Sequence, residues 1–171
     1  MQENGKITLR GLEPADKNQL TQLANNKKIW ENVSDRFPYP YTEEHAEAFI
    51  KLQSKDETEK VFAIEYEREF CGCVGLKFQK DVYHKSAEVG YWIGEPFWDR
   101  SIATRAVELL VRYAFEELKL NRVFASAFEY NVGSMRVLEK NGFQKEGIAQ
   151  KAVFKNNNFW DEHRYALVKK E

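Results

Sequence analysis

Apolar residues along this chain recur every second position in some stretches and every third or fourth in others, and the switches between the two spacings mark its elements. Lys6 to Arg10 alternates as a strand does, and Glu13-Pro14-Ala15-Asp16 then turns into a helix with Leu20 and Leu23 on one side. Asn25 to Asn32 reads as a short, poorly capped helical turn, and Arg36 to Tyr41 as an aromatic loop held extended by Pro38 and Pro40. Thr42 is placed to cap the next helix, with Glu43 and Glu44 in its first turn and Ala46, Phe49, Ile50 and Leu52 turned inward.

Period two then takes over. Val61 to Tyr66 and Phe70 to Phe78 form a hairpin across the charged turn Glu67-Arg68-Glu69, and Ala87 to Ile93 supplies the next strand. After Gly94-Glu95-Pro96 the helical spacing returns from Thr104 to Leu118, where Ala106, Val107, Leu109, Leu110, Val111, Tyr113 and Ala114 cover a broad face. A strand over Arg122 to Ala127, a helix from Val132 to Asn141 stopped by Gly142, and strands around Ile148 to Phe154 and Trp160 to Val168 complete the pattern. Asn156-Asn157-Asn158 is the turn between the last two. The order predicts an α/β protein of the α+β mixed-sheet kind, with helices on both faces. The helix between the strands ending at Ile93 and Ala127 is a crossover, so those two strands run parallel, and if they diverge they open a cleft.

Composition narrows the function classes. The 171 residues suit a single domain over 1–171, and 43% hydrophobic with 31% charged residues is ordinary for a globular protein. A net charge of −1 without a basic run gives no surface for nucleic acid or an anionic membrane. MQENGKITLR has no secretory pattern and no apolar run is long enough to span a bilayer, which predicts a cytoplasmic protein. Cys71 and Cys73 stand alone, on one face of a strand, as reduced packing residues. His45, His84 and His163 are scattered without ligand spacing, and no metal is expected.

Chemistry concentrates in EVGYWIGEPFWDRSIATR, residues 88 to 105. Trp98 to Thr104 is a strand-to-helix turn with small residues at a helix N-terminus, where free N–H groups and the helix dipole favour an anion, and Arg100 and Arg105 add positive charge. The same stretch also reads as a polar loop that starts a helix with Ser101 or Asp99 as N-cap.

Three segments resemble the GNAT superfamily of acetyl-CoA-dependent N-acetyltransferases, in particular its ribosomal-protein alanine N-acetyltransferase branch. They are Glu88-Val-Gly-Tyr-Trp-Ile with Trp98-Asp-Arg-Ser-Ile-Ala-Thr-Arg-Ala106, Asn131-Val-Gly-Ser-Met-Arg-Val-Leu-Glu-Lys-Asn-Gly-Phe143, and Asp161-Glu-His-Arg-Tyr-Ala-Leu167. With Leu9-Arg10 and Phe37-Pro-Tyr-Pro-Tyr-Thr42, the likeness runs over nearly the whole chain. It implies about seven mostly antiparallel strands, with a central parallel pair splayed around acetyl-CoA. Arg100, Ser101, Ile102, Ala103 and Thr104 would wrap the cofactor's pyrophosphate. The pantetheine arm would pair with the backbone near Trp92, Ile93 and Gly94, Asn131 would also hold that arm, and Arg136 and Lys140 would meet phosphates. The family's turn usually has glycine at Ser101 and often at Asp99. Ser101 suits the turn with a negative φ, and Asp99 is expected to face away or pair with Arg100.

Acetyl transfer needs a neutral amine, a polarised carbonyl and a stabilised thiolate. Neutralising a lysine-like amine at pH 7 costs roughly 4 to 5 kcal/mol, and an α-amine only about 1. The resemblance makes Glu88 the candidate base and Ser134 the group that stabilises or protonates the thiolate. The branch's further glutamate falls at Val153, and the tyrosine acid of other members falls at Leu138. Phe37, Tyr39 and Tyr41, with Trp30, are candidates to line the acceptor pocket. The expected function is direct acetyl transfer to a primary amine, a protein N-terminal α-amine first. Polyamine or antibiotic acetylation, or coenzyme A binding without catalysis, are the alternatives. Oligomeric state is not readable.

Overall fold

The structure, a computed structural model, describes residues 2–3, 6–53 and 55–170. In chain order these form β1 (Gln2–Glu3), β2 (Ile7–Arg10), α1 (Lys17–Ala24), α2 (Lys27–Trp30), α3 (Glu43–Gln53), β3 (Glu59–Tyr66), β4 (Glu69–Phe78), β5 (Ser86–Ile93), α4 (Ile102–Glu116), β6 (Arg122–Phe128), α5 (Val132–Lys140), β7 (Gln144–Lys155) and β8 (Asn158–Val168). One mixed sheet runs β1-β2-β3-β4-β5-β6-β8-β7, and β5–β6 is its parallel pair. Eight strands replace the expected seven because the two-residue β1, too short to show an alternation, adds to the β2 edge.

The sheet separates two apolar layers. On one face α4 and α5 bury Ile102, Ala106, Val107, Leu110, Met135 and Leu138 against Val74, Leu76, Val89, Ile93, Val123 and Ala125. On the other, Leu20 and Ala24 of α1 and Ala46 and Ile50 of α3 pack with Ala63, Phe70 and Cys73. Arg10, at the end of β2, locks the first helical turn to β3, bonding Asp16 through two nitrogens at 2.8 and 2.6 Å and Glu65 at 2.7 Å. Asn26 caps α2 by accepting from the Lys28 N–H at 2.8 Å, so this helical turn is better capped than its sequence suggests. Asn156 and Asn157 both take left-handed backbone (φ 52 and 59), which makes the β7–β8 turn a two-residue one with Asn158 already paired to Lys155.

Cys71 and Cys73 depart from the expected single strand face. The pairing of β3 with β4 shifts between Ile64 and Glu65, Cys71 is the extra residue of the resulting bulge, and the two thiols fall into opposite apolar layers. Burial pushes the Cys71 thiol up to about 12 and raises Cys73 as well. Native protein should therefore show no rapidly reacting thiol toward an aromatic disulfide reagent at pH 8, and two after denaturation. A fast-reacting native thiol would contradict this packing.

Candidate active site

The parallel pairing of β5 with β6 covers Ser86↔Arg122, Ala87↔Val123 and Glu88↔Phe124. Beyond it, residues 89–93 and 125–128 run on without pairing to each other, each held only by its outer neighbour, and the sheet splits. Gly72 on β4 shapes one side. A Cβ there would lie 2.2 Å from the Trp92 carbonyl oxygen, so that carbonyl points at β4. Strand alternation then turns the main-chain groups of Tyr91 and Ile93 into the split. The Trp98 indole N–H donates to the Ile93 carbonyl at 2.7 Å. The Tyr91 and Ile93 N–H groups, rather than that of Trp92 or that of Gly94, which bonds the Cys71 carbonyl at 2.8 Å, are thus the ones turned into the split.

The turn from β5 to α4 delivers the helix N-terminus to the same place. α4 starts at Ile102, two residues before the sequence spacing suggests, with Ser101 as N-cap. The Arg105 N–H bonds the Ser101 carbonyl at 3.1 Å, and the Ser101 side chain caps nothing. The N–H groups of Ile102, Ala103 and Thr104 therefore precede the first intrahelical bond. The Ile102 side chain is buried in the core, so only its backbone can serve an anion. Ser101 has φ 59, not the expected negative value, and Asp99 also has φ 59. Left-handed backbone at these two positions explains why glycine suits the turn. Asp99 is exposed, and the Arg100 guanidinium lies over the Phe97 ring at 5.8 Å. Ser101→Gly should raise stability by up to about 1 kcal/mol, since a left-handed serine costs roughly that much, and leave coenzyme A affinity equal or tighter. Thermal melts and calorimetric titration check it, and a loss of either would mean the serine side chain is needed.

On the opposite wall, the Asn131 side chain caps α5 by accepting from the Ser134 N–H at 3.0 Å. The Tyr91 hydroxyl reaches across from β5 to Ser134, 2.8 Å from its Oγ and 3.1 Å from its carbonyl oxygen. Burial pushes Tyr91 up to about 12, against the Ser134 hydrogen bond that lowers it. Asn141 donates to the Thr104 carbonyl at 3.1 Å, tying α5 to the first turn of α4. Arg136 and Lys140 are exposed on α5, and Leu138 is fully buried in the core.

Glu88 sits where the strands part, on the face of α1 and α3. Desolvation raises its pKa first, and Glu162 and Glu59 raise it further against the lowering effect of Lys77. Gly90 follows on the same strand face, exposed and with nothing within 4 Å of a Cβ built there, so the floor beside Glu88 is open. Phe37 meets Trp92 edge-on at 5.7 Å, and Tyr39 lies 5.8 Å from Trp30. Tyr41 is 5% exposed within the α1–α3 layer, so the structure does not bring it to the cleft with the other two. The loop after α2 is fastened to the far side of the split. Tyr130 donates to the Glu31 carbonyl at 2.5 Å, and the 3%-exposed Lys155 donates to the Val33 carbonyl at 3.1 Å and to Asp35 at 2.6 Å, with Trp30 beneath it at 3.7 Å. Val153 pairs with Trp160 on the β7–β8 hairpin.

A splayed strand pair, three amides ahead of the helix's first bond beside it and a capped helix opposite form a cradle suited to an anion on an extended chain. The chain as a whole resembles known proteins. The acetyltransferase (GNAT) domain family matches residues 6–144. YdaF of Bacillus subtilis (strain 168), provisionally named a ribosomal N-acetyltransferase, is 35% identical over 98% of this chain and 94% of its own. The chain belongs to the GNAT acetyltransferase family. The spermidine N(1)-acetyltransferase of Escherichia coli (strain K12) is 29% identical over 90% of this chain and 81% of its own. The crystal structure of the microcin C7 self-immunity acetyltransferase MccE, in complex with acetyl-CoA and AMP, superposes with a TM-score of 0.84 at 24% identity over 97% of this chain and 94% of that one, a likeness of fold. The protein is a GNAT N-acetyltransferase. Among the described residues no helix is long and apolar enough to cross a membrane.

Three side chains at this GNAT site have no signal in local sequence. Tyr91 reads as one more apolar strand position, Glu162 as a solvent-facing charge and Lys155 as a surface lysine. The alternation that turns Tyr91 toward Ser134 was legible, but which helix end lies opposite depends on the fold.

Proposed function

We propose that the protein transfers acetyl directly from acetyl-CoA to an exposed α-amine, such as the N-terminus of a polypeptide. The observation that carries this reading is the open floor at Gly90 beside Glu88, which admits an amine at the end of a larger body. Glu88 accepts the amine's proton. An α-amine needs only about 1 kcal/mol for that at pH 7, within reach of a carboxylate of modestly raised pKa. The amides of Ile102, Ala103 and Thr104 hold the diphosphate, the Ile93 N–H faces the thioester, and Ser134 faces the leaving sulfur from the other wall. Both cysteines are buried and held protonated, which supports transfer without an acyl-enzyme. Phe37 and Tyr39 flank the acceptor.

A second reading, a polyamine acceptor, is favoured by Glu59 and Glu162, whose charges reach Glu88 and would draw a multiply charged amine. The test is thiol release from acetyl-CoA over a panel of short peptides with free N-termini, the same peptides with blocked N-termini and a lysine, spermidine, and aminoglycosides. Turnover confined to free N-termini is expected. Preference for spermidine would move the acceptor to the second reading, and no turnover on any amine would favour coenzyme A binding without catalysis.

A further inference from the structure

The Tyr91–Ser134 contact holds more information than a packing interaction. A tyrosine hydroxyl has one proton, and here it lies near two oxygens of the same serine. The Ser134 carbonyl can only accept. If the Tyr91 proton goes there, the Ser134 O–H turns toward Tyr91 and offers lone pairs to the split, the wrong polarity for a departing thiolate. If the proton goes to Ser134 Oγ, the Ser134 O–H is released to point into the split as a donor. Negative charge at sulfur favours the second arrangement.

We propose that Tyr91 is a positioning residue that aims the Ser134 O–H at the leaving sulfur, and that the pair donates a hydrogen bond to the thiolate without giving up a proton. This rests on the reading that Ser134 faces the sulfur. A full transfer would leave tyrosinate at Tyr91 and a thiol. With Tyr91 pushed up to about 12 and an ordinary thiol near ~8.5, that exchange is strongly uphill. The proton that finally reaches the sulfur is one released by the acceptor nitrogen as its bond to the acetyl carbon forms and the carbon–sulfur bond breaks, so the balance closes without either hydroxyl. Tyr91 is also held in place for this task. Its ring packs against the α4–α5 layer, and Ser134 is fixed through its N–H to Asn131.

The test needs no acceptor. Coenzyme A and desulfo-coenzyme A are titrated calorimetrically from pH 6 to 10 into wild type, Y91F, S134A and the double variant. In wild type, coenzyme A is expected to gain about tenfold over the desulfo compound above the thiol's pKa, the effect of one hydrogen bond to a charged group. Each single variant should lose that gain, and the double variant should lose no more. Desulfo-coenzyme A affinity should stay constant throughout, which reports an intact cleft. If Y91F weakens the desulfo compound too, Y91M, which fills the same apolar space without a hydroxyl, replaces it. A gain that persists in Y91F and Y91M but vanishes in S134A overturns the role of Tyr91 alone. A gain that persists in S134A overturns the Ser134 reading beneath it.

Discussion

Glu88→Gln is expected to lower kcat/KM by roughly 10²- to 10⁴-fold, the usual worth of a positioned general base, while leaving coenzyme A affinity unchanged. Wild-type kcat/KM should show an acid limb, because a base at Glu88, as proposed, works only when ionised, and the Glu88 pKa is raised by desolvation and by Glu162 and Glu59. E88Q should abolish that limb. Stability moves the other way. A carboxylate whose folded pKa lies above its unfolded value favours folding most below the unfolded pKa, and that contribution is lost as pH rises through the folded value. E88Q, neutral at every pH, should therefore be at least as stable as wild type at pH 7. A variant that loses activity by unfolding would show the opposite. Retained kcat/KM with an unchanged acid limb would move the base elsewhere, Glu162 being the carboxylate whose charge already acts on Glu88.

Most of the elements were legible because their apolar periods are clean. The α4 face and the β5 alternation each survive into the structure within two residues of their expected ends. The crossover predicts the parallel pair, and the family's motifs mark the turn before α4 and the asparagine that caps α5. What local sequence did not carry are the consequences of register. Cys71-Gly-Cys73 reads as an ordinary i, i+2 pair, and only the pairing with Ile64 and Glu65 makes Cys71 an extra residue. Likewise, Glu162 lies opposite Phe128, which extends the strand that leaves Glu88 at Phe124, and so its charge reaches Glu88 through three strands' alignment. Ser101 was misjudged for a different reason. Residue type predicts preferred backbone angles, but Ser101, as N-cap of α4, takes a left-handed angle against its preference.

The largest structural effect is expected from Gly72→Ala. An added Cβ would lie 2.2 Å from the Trp92 carbonyl oxygen and 3.0 Å from the Ile93 Cα, both main-chain atoms of the strand that borders the split. No side-chain rotation relieves such a contact, so β5 must shift. Overpacking of this kind costs about 1 to 3 kcal/mol or more, which for a chain of this size lowers the melting temperature by roughly 2 to 4 °C for each kcal/mol. The shift also turns the Tyr91 and Ile93 amides that face the split and moves Gly94, whose N–H bonds the Cys71 carbonyl at 2.8 Å. Coenzyme A affinity should fall together with stability. Gly90→Ala is the control on the same strand, since its Cβ meets nothing within 4 Å. It should melt as wild type and bind coenzyme A normally, and raise KM only for the amine whose path crosses that floor. If G72A bound coenzyme A and melted like wild type, the Trp92 carbonyl would not point at β4, and the orientation of the split's amides would have to be reversed.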